Sequence, residues 1–456
     1  MIPMTLADIA AVVGGEVHGD PALTVTGPAY LDSRTPVDGG LFVAIAGERV
    51  DGHDFAEGAH AVLGSRPTPA PTVVVDDAVV ALGRLGRHVA DRLDATLLAL
   101  TGSQGKTGTK DYLAGLLAPA GPTVVTAANA NNELGVPITV LRAGADTSYL
   151  VVEMGARGIG HVRYLCDVAP PRVAAVLNVG TAHIGEFGSR EAIATAKGEI
   201  VEALPADGTA VLNADDPLVS AMAERTTARV LTFGERGDVA WRGVELDDLG
   251  RPTFEIGYDG TWLPVTLTAS GRHQVPNAAA AVAMAVAAGR PFAETVATLG
   301  EVVLASRWRM EVRERADGLI VINDSYNANP ASMVAALDAL ASIGARRGRR
   351  TVAVLGEMKE LGPDADASHR EVGRAAAELG VDVVVAVGPE AAGIAAGSGE
   401  SATGNPEVVR TAGRDETRAW VRKNVRAGDV VLVKASRGVA LEVVADELLE
   451  GGTEAP

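Results

Sequence analysis

The chain has 456 residues, 47% of them hydrophobic and 21% charged; at roughly 100–200 residues per domain it can form about two to four domains with real cores. Its formal net charge is −18, and it shows no basic stripe, which excludes a protein that coats nucleic acid. A single cysteine, Cys166, excludes an intramolecular disulfide, and the Ala-rich run Ala278–Ala288 is well short of the ~20 residues that a membrane span needs.

The N-terminus, MIPMTLADIA, has no basic stretch followed by a long apolar run, so no signal peptide is expected and the reading is a cytoplasmic protein without membrane insertion. Cys166 then reads as a small core residue in a reducing compartment. The basic residues are skewed, with six Lys against 34 Arg. In such a chain a lysine can mark a place where a guanidinium will not serve.

Residues 1–95 read as a small α/β unit, with strands at Leu41–Ala46 and Thr72–Val75, a proline-rich loop at Arg66–Pro71 and a helix at Val79–Leu93. From Thr96 the pattern becomes buried strands alternating with helices. Thr96–Leu100 is an apolar run that ends in a glycine loop, and a helix follows through Leu117. Ser148–Val152 and Val173–Val179 are apolar without alternation, as strands covered on both faces should be. Ser189–Leu204 is helical in pattern, and Asp238–Val265 looks like a hairpin-rich excursion.

A third βα unit runs from Ser306. Its strands are expected at Leu319–Asn323, Thr351–Leu355, Val381–Val387 and Val430–Lys434. Helices are expected at Ala331–Ile343 and Ala367–Leu379, with a last one ending at Leu449. The tail Gly451–Pro456 reads as disordered. The expected fold is α/β in three domains: 1–95, a central parallel sheet of the phosphate-loop ATPase type over 96–305, and a Rossmann-like unit over 306–456.

The chemistry begins at Thr101–Thr107, TGSQGKT. Gly102, Ser103, Gln104, Gly105 and Gly108 supply a loop whose N–H groups can converge on phosphate oxygens at a helix N-terminus. Lys106 would neutralise β/γ charge, and Thr107 would offer its hydroxyl to Mg²⁺. The spacing is a short form, because Leu100 stands where the general pattern has its first glycine. The bland alternative is a glycine-rich turn with an exposed lysine.

Two further strand ends point to the same rim. YLVVEM (Tyr149–Met154) carries Glu153, a candidate metal ligand or a helix cap. Val173–Val179 leads to His183, a candidate ligand or a structural hydrogen-bonder. On the next helix stands Lys197, an exposed helix lysine or an amine that adds CO₂ to become an anionic carbamate.

These residues resemble the Mur ligase family, the ATP-dependent amide ligases of peptidoglycan precursor synthesis, along essentially the whole chain. VVEMGA (Val151–Ala156), NVGTAHIGEFGS (Asn178–Ser189) and ATAKGEI (Ala194–Ile200) match its metal-site and carbamyl-lysine regions. NANNELGVP (Asn129–Pro137), NDSYNANPASM (Asn323–Met333) and GEMKELG (Gly356–Gly362) resemble the branch that joins UDP-N-acetylmuramoyl-tripeptide to D-alanyl-D-alanine. No D-N-P-R string for recognising a diamino acid is present.

The resemblance implies ATP, two Mg²⁺ ions and a carbamylated Lys197. It gives Lys106, His183 and Lys197 catalytic roles, with Thr107, Glu153, His183 and Lys197 holding metal. Ser33 and Arg34 in LDSR, Asp51 and His53 in DGHDF, and Asn131 and Asn132 would hold the UDP-linked substrate. Asn277 would contact adenine and Asp324 the ribose. Arg307 would reach the ATP phosphates, with Arg309 close by as the other candidate; the roles of Lys434 and Arg437 stay open. A monomer is expected. The alternatives are a Mur-type ligase adding a single amino acid, a folate-polyglutamate-type ligase, or a phosphate-loop module without ligase chemistry.

Overall fold

Thr96–Thr101 becomes a buried strand at the centre of a six-stranded, all-parallel sheet. It lies between Tyr149–Glu153 and Val173–Val176, with Thr123–Val125, Thr209–Asn213 and Arg229–Phe233 outside them. The apolar runs without alternation thus form interior strands, as burial on both faces requires. The computed structural model describes residues 1–47, 50–180, 187–402 and 404–450. His183 and the tail 451–456 lie outside them.

The first unit carries a five-stranded mixed sheet. Ala29–Tyr30, Leu41–Val43, Ala61–Gly64 and Thr72–Val74 run parallel, and Glu16–His18 closes the edge antiparallel. Helix Ala78–Ala90 starts on Asp77, whose carboxylate accepts the Val79 and Val80 N–H groups. Its Leu85 and Val89 belong to the same apolar cluster as Val136, Leu165 and Val168 of the central unit. One continuous core therefore joins the first sheet to one face of the second.

The excursion expected at Asp238–Val265 is a three-stranded antiparallel meander of Ala240–Leu246, Pro252–Tyr258 and Thr261–Thr266. The last unit is a second six-stranded sheet, in the order Glu311–Glu314, Ile320–Asn323, Val430–Lys434, Thr351–Gly356, Val383–Val387 and Glu407–Thr411. Only Glu311–Glu314 is antiparallel to its neighbour. Each face of this sheet has its own apolar cluster.

Among the described residues the unit holds four α-helices or strands beyond those expected from sequence: helix Ala392–Glu400, strand Glu407–Thr411, helix Arg414–Asn424 and the edge strand Glu311–Glu314. The first was hidden by its composition. A Cβ on Gly397 would stand 2.0 Å from Arg370 O, and one on Gly393 2.8 Å from His369 Cβ, so the glycines permit a very close helix contact. Glu407–Thr411 is a largely exposed edge strand and lacks the apolar signature of its neighbours.

Cys166 is buried, and burial pushes its thiol up to about 12. The reactive thiolate is thus scarce near neutral pH. Iodoacetamide should therefore leave the native protein unlabelled and modify it once unfolded; rapid native labelling would contradict the packing. Among the described residues no helix is long and apolar enough to cross a membrane.

Candidate active site

The phosphate loop sits where the central strand ends, at the carboxyl rim on which parallel α/β sheets bind ligands. Gly105 takes φ +78°, and a Cβ there would stand 2.3 Å from Asn277 Oδ1. Glycine is thus required twice over, by the left-handed turn and by the approach of helix Gln274–Ala287. The Lys106 ammonium donates to Gly102 O at 2.7 Å. Burial lowers its proton affinity, the Glu153 charge raises it and the Arg309 charge lowers it again.

The loop is braced from the next strand. Asn178 accepts from Gln104 N at 2.9 Å and donates to Gln104 O at 3.1 Å. Ser103 N donates to Asn178 O at 3.1 Å, and Gly180 N donates to Ser103 Oγ at 2.9 Å. Nothing local to the string NVGTAHIGEFGS marks Asn178 for this role. Its job depends on a peptide group far away in the chain.

Thr107 Oγ1 donates to Glu153 Oε2 at 3.0 Å, and Asn131 Nδ2 donates to Glu153 Oε1 at 2.8 Å. Thr107 and Glu153 are buried. A hydroxyl and a carboxylate beside a phosphate loop form the oxygen donor set that suits Mg²⁺, which completes its shell with phosphate oxygens and water. Among the described residues no group of three or more His, Cys, Asp or Glu is placed to hold a metal.

Lys197, on helix Arg190–Glu202, is 4% exposed. Burial, and then the Lys106 charge, hold its amine well below the ordinary lysine range. This differs from the exposed helix lysine that the residue alone would suggest.

One cavity of about 610 Å³ brings together Ser103–Gly108, Asn131, Asn132, Glu153, Lys197, Asn277 and Asp324. Among the described residues its wall carries the basic side chains Lys106, Arg157, Arg309, Lys359, Lys434 and Arg437, with Lys197 pushed towards its neutral form, against the carboxylates of Asp111, Glu153, Asp324 and Glu360. A protein of net charge −18 therefore concentrates cations where an anionic ligand would bind. His161 also lines the cavity, 3.2 Å from Glu133.

The two arginine candidates separate. Arg309 lines this cavity, with its guanidinium 4.1 Å from the centre of the Tyr326 ring. Arg307 is absent from that lining and lines an adjoining pocket of about 1050 Å³, to whose wall Arg309, Thr107 and Asp111 also contribute. The divergence follows from the backbone: Trp308 at φ +60° and Met310 at φ +49° bracket Arg309. For non-glycine residues such angles cost about 1–2 kcal/mol each. Asp324, expected at the ribose, accepts from Met310 N at 3.0 Å and from Lys434 Nζ at 2.5 Å.

Ser33, Arg34, Asp51 and His53 do not line the cavity; they follow the carboxyl ends of parallel strands in the first sheet. Arg34 folds back onto Asp32, whose carboxyl its hydrogen bonds hold down at about 2. His53 is not at the surface. Its ring is buried, with Nδ1 2.5 Å from Asp51 Oδ1 and Nε2 accepting from Ser65 N at 2.8 Å. Both ring nitrogens are therefore used in holding the loop. Exposed Leu31, Val50 and Phe55 share this rim with Arg34 and Asp51.

The Mur ligase middle domain matches residues 100–285, and the Mur ligase glutamate ligase domain matches residues 308–437. The UDP-N-acetylmuramoyl-tripeptide–D-alanyl-D-alanine ligase of Mycobacterium tuberculosis is 44% identical to this chain, over 99% of each. The chain belongs to the Mur ligase family. The ligase of the same name from Escherichia coli is 35% identical over 99% of this chain and 100% of its own. Among solved structures, MurF from Acinetobacter baumannii superposes with a TM-score of 0.87 at 32% identity, covering 98% of this chain and 99% of that one. The MurF ligase of Thermotoga maritima, in complex with ADP, gives a TM-score of 0.80 at 30% identity, covering 93% and 98%.

In this Mur ligase the Asn178 brace should matter to ATP use. Asn178→Asp keeps the acceptor for Gln104 N and loses the donor to Gln104 O. It is expected to lower kcat/KM for ATP roughly tenfold to a hundredfold, as losing a group that orients a site usually does. Steady-state kinetics beside a melting curve would check this; unchanged ATP kinetics would show that the loop holds its shape alone.

Proposed function

We propose that this Mur ligase joins D-alanyl-D-alanine to the terminal carboxylate of UDP-N-acetylmuramoyl-tripeptide, using ATP and releasing ADP and phosphate. The observation that carries the reading is the single cavity in which the phosphate loop, Glu153, Lys197 and Arg309 face one another. The ligases of that name, alike over nearly the full chain, point to the same substrates.

A carboxylate and an amine do not form an amide in water without activation. A carboxylate oxygen of the tripeptide attacks the γ-phosphorus of ATP, the bond to the ADP oxygen breaks, and an acyl phosphate results. Lys106 and Arg309 offset charge on the phosphoryl oxygens during the transfer. The dipeptide amine then attacks the acyl carbon, the C–N bond forms, and phosphate leaves as the amine loses its proton.

Thr107 and Glu153 would hold one Mg²⁺, and Lys197, as its carbamate, would serve a second with His183. Bound there, the ions would supply Lewis-acid stabilisation of phosphate charge. Asn277 lies against the phosphate loop, where adenine contact is assigned to it. Asn131 and Asn132 are assigned to the peptide end of the tripeptide substrate, and the rim with Ser33, Arg34 and Asp51 to its UDP end. The working division is 1–95 for UDP binding, 96–305 for ATP and 306–456 for closing the ligase site. We place the enzyme in the cytoplasm as a monomer.

The test is ADP release with the substrates supplied separately and together. Release should require both the UDP-muramoyl-tripeptide and D-alanyl-D-alanine. Equal release with a single amino acid in place of the dipeptide would overturn the assignment.

A further inference from the structure

We propose that Lys434 is a positioning residue for Arg309, acting through Asp324; this rests on the reading of Arg309 as the phosphate contact. Lys434 ends the strand Val430–Lys434, which runs parallel to Ile320–Asn323. Asp324 follows that neighbouring strand, and its N–H donates to Val433 O at 2.9 Å. The two side chains are thus delivered side by side by the sheet.

Lys434 is 2% exposed, and a buried ammonium is costly unless it is paired. Its Nζ donates to Asp324 Oδ2 at 2.5 Å and to Asn327 O at 2.9 Å. One Asp324 oxygen is thereby fixed, and the other is aimed at Met310, whose N–H it accepts at 3.0 Å.

Met310 closes the left-handed turn that carries Arg309. Such a backbone persists only where its surroundings hold it. Here it is held at four points, one of them Trp308 N donating to Glu311 Oε2 at 3.3 Å. Ser306 N donates to Asp111 Oδ2 at 2.9 Å, which ties the segment to the phosphate-loop helix. Tyr326 N donates to Trp308 O at 3.2 Å, and Met310 N reaches Asp324. Only the last depends on a carboxylate that would lose its cation without Lys434. Arg309 lies over Tyr326, close enough to Lys106 for their charges to interact. Lys434 thus sets where the guanidinium stands while making no contact with it.

A double-mutant cycle tests this, with Lys434→Met, Arg309→Ala and the pair, each checked by its melting curve. Lys434→Met is expected to lower kcat/KM for ATP roughly tenfold to a hundredfold, as a misplaced positioning group does. The KM for D-alanyl-D-alanine should not change. The double variant should be no worse than Arg309→Ala alone. If Lys434→Met does not fold, the cycle is run with Lys434→Gln, which keeps an N–H donor towards Asp324. Multiplicative losses would overturn the positioning role and leave the phosphate contact standing. An Arg309→Ala enzyme with unchanged ATP kinetics would overturn both.

Discussion

Replacing Lys197 with alanine is expected to cost roughly a hundredfold or more in ligase activity, with partial recovery on adding short-chain carboxylates. The amine is buried, and its proton affinity is depressed first by that burial and then by Lys106. Only an unprotonated amine can add CO₂: nitrogen bonds to carbon, a proton leaves, and a carbamate anion forms. Depressing the pKa extends the unprotonated form below the pH at which an ordinary lysine provides it. Activity that depends on the carbamate should therefore fall as the pH drops and the amine is protonated, and it should fall on rigorous removal of CO₂. The carbamate also sets an anion opposite Lys106, where a protonated Lys197 would be repelled. A small carboxylate diffusing into the space left by Lys197→Ala restores that anion, which a structural lysine would not require. Full activity in the alanine variant, or a complete loss that no carboxylate relieves, would sink the carbamate assignment.

The parts of this site that are local in sequence were legible there. TGSQGKT and Glu153 at its strand end announce themselves through residue type and neighbours, whereas Lys197 was marked by the resemblance of ATAKGEI, since the residue alone read as an exposed helix lysine. The structure brings these three into one cavity. What stayed hidden depends on contacts that no local pattern encodes. Asn178 acts on the backbone of Gln104, far off in sequence. The role of Lys434 stayed open, because its partner Asp324 follows another strand. His53 was expected, from the resemblance of DGHDF, to help hold the UDP-linked substrate; that the carboxylate two residues before it and Ser65 enclose its ring could not be read from the string. The choice between Arg307 and Arg309 turned on left-handed angles at Trp308 and Met310, residue types that give no warning of such a backbone.

That choice leads to the second large effect. Arg309→Ala is expected to lower kcat/KM for ATP on the order of 10²–10³-fold, the range in which removing one transition-state donor usually falls. Arg307→Ala should stay within about threefold, as exposed surface substitutions usually do. The two residues differ by two positions and carry the same charge, so net electrostatics cannot separate them; position can. Arg309 lines the cavity of the phosphate loop and lowers the proton affinity of Lys106, whereas Arg307 is exposed and lines the adjoining pocket, which the two arginines share, but not that cavity. Arg309 also has an Nε that is buried without a hydrogen-bond partner. The loss in Arg309→Ala should appear in ATP kinetics and leave the affinity for the UDP-linked substrate intact, because that substrate's UDP end is assigned to the first sheet. Lysine at 309 should recover only part of the activity, since a compact ammonium cannot reproduce a stacked, forked guanidinium. If Arg307→Ala proved the more damaging of the two, the segment 306–310 would have to turn over when ATP binds, and the strained angles at Trp308 and Met310 would mark where that turn begins.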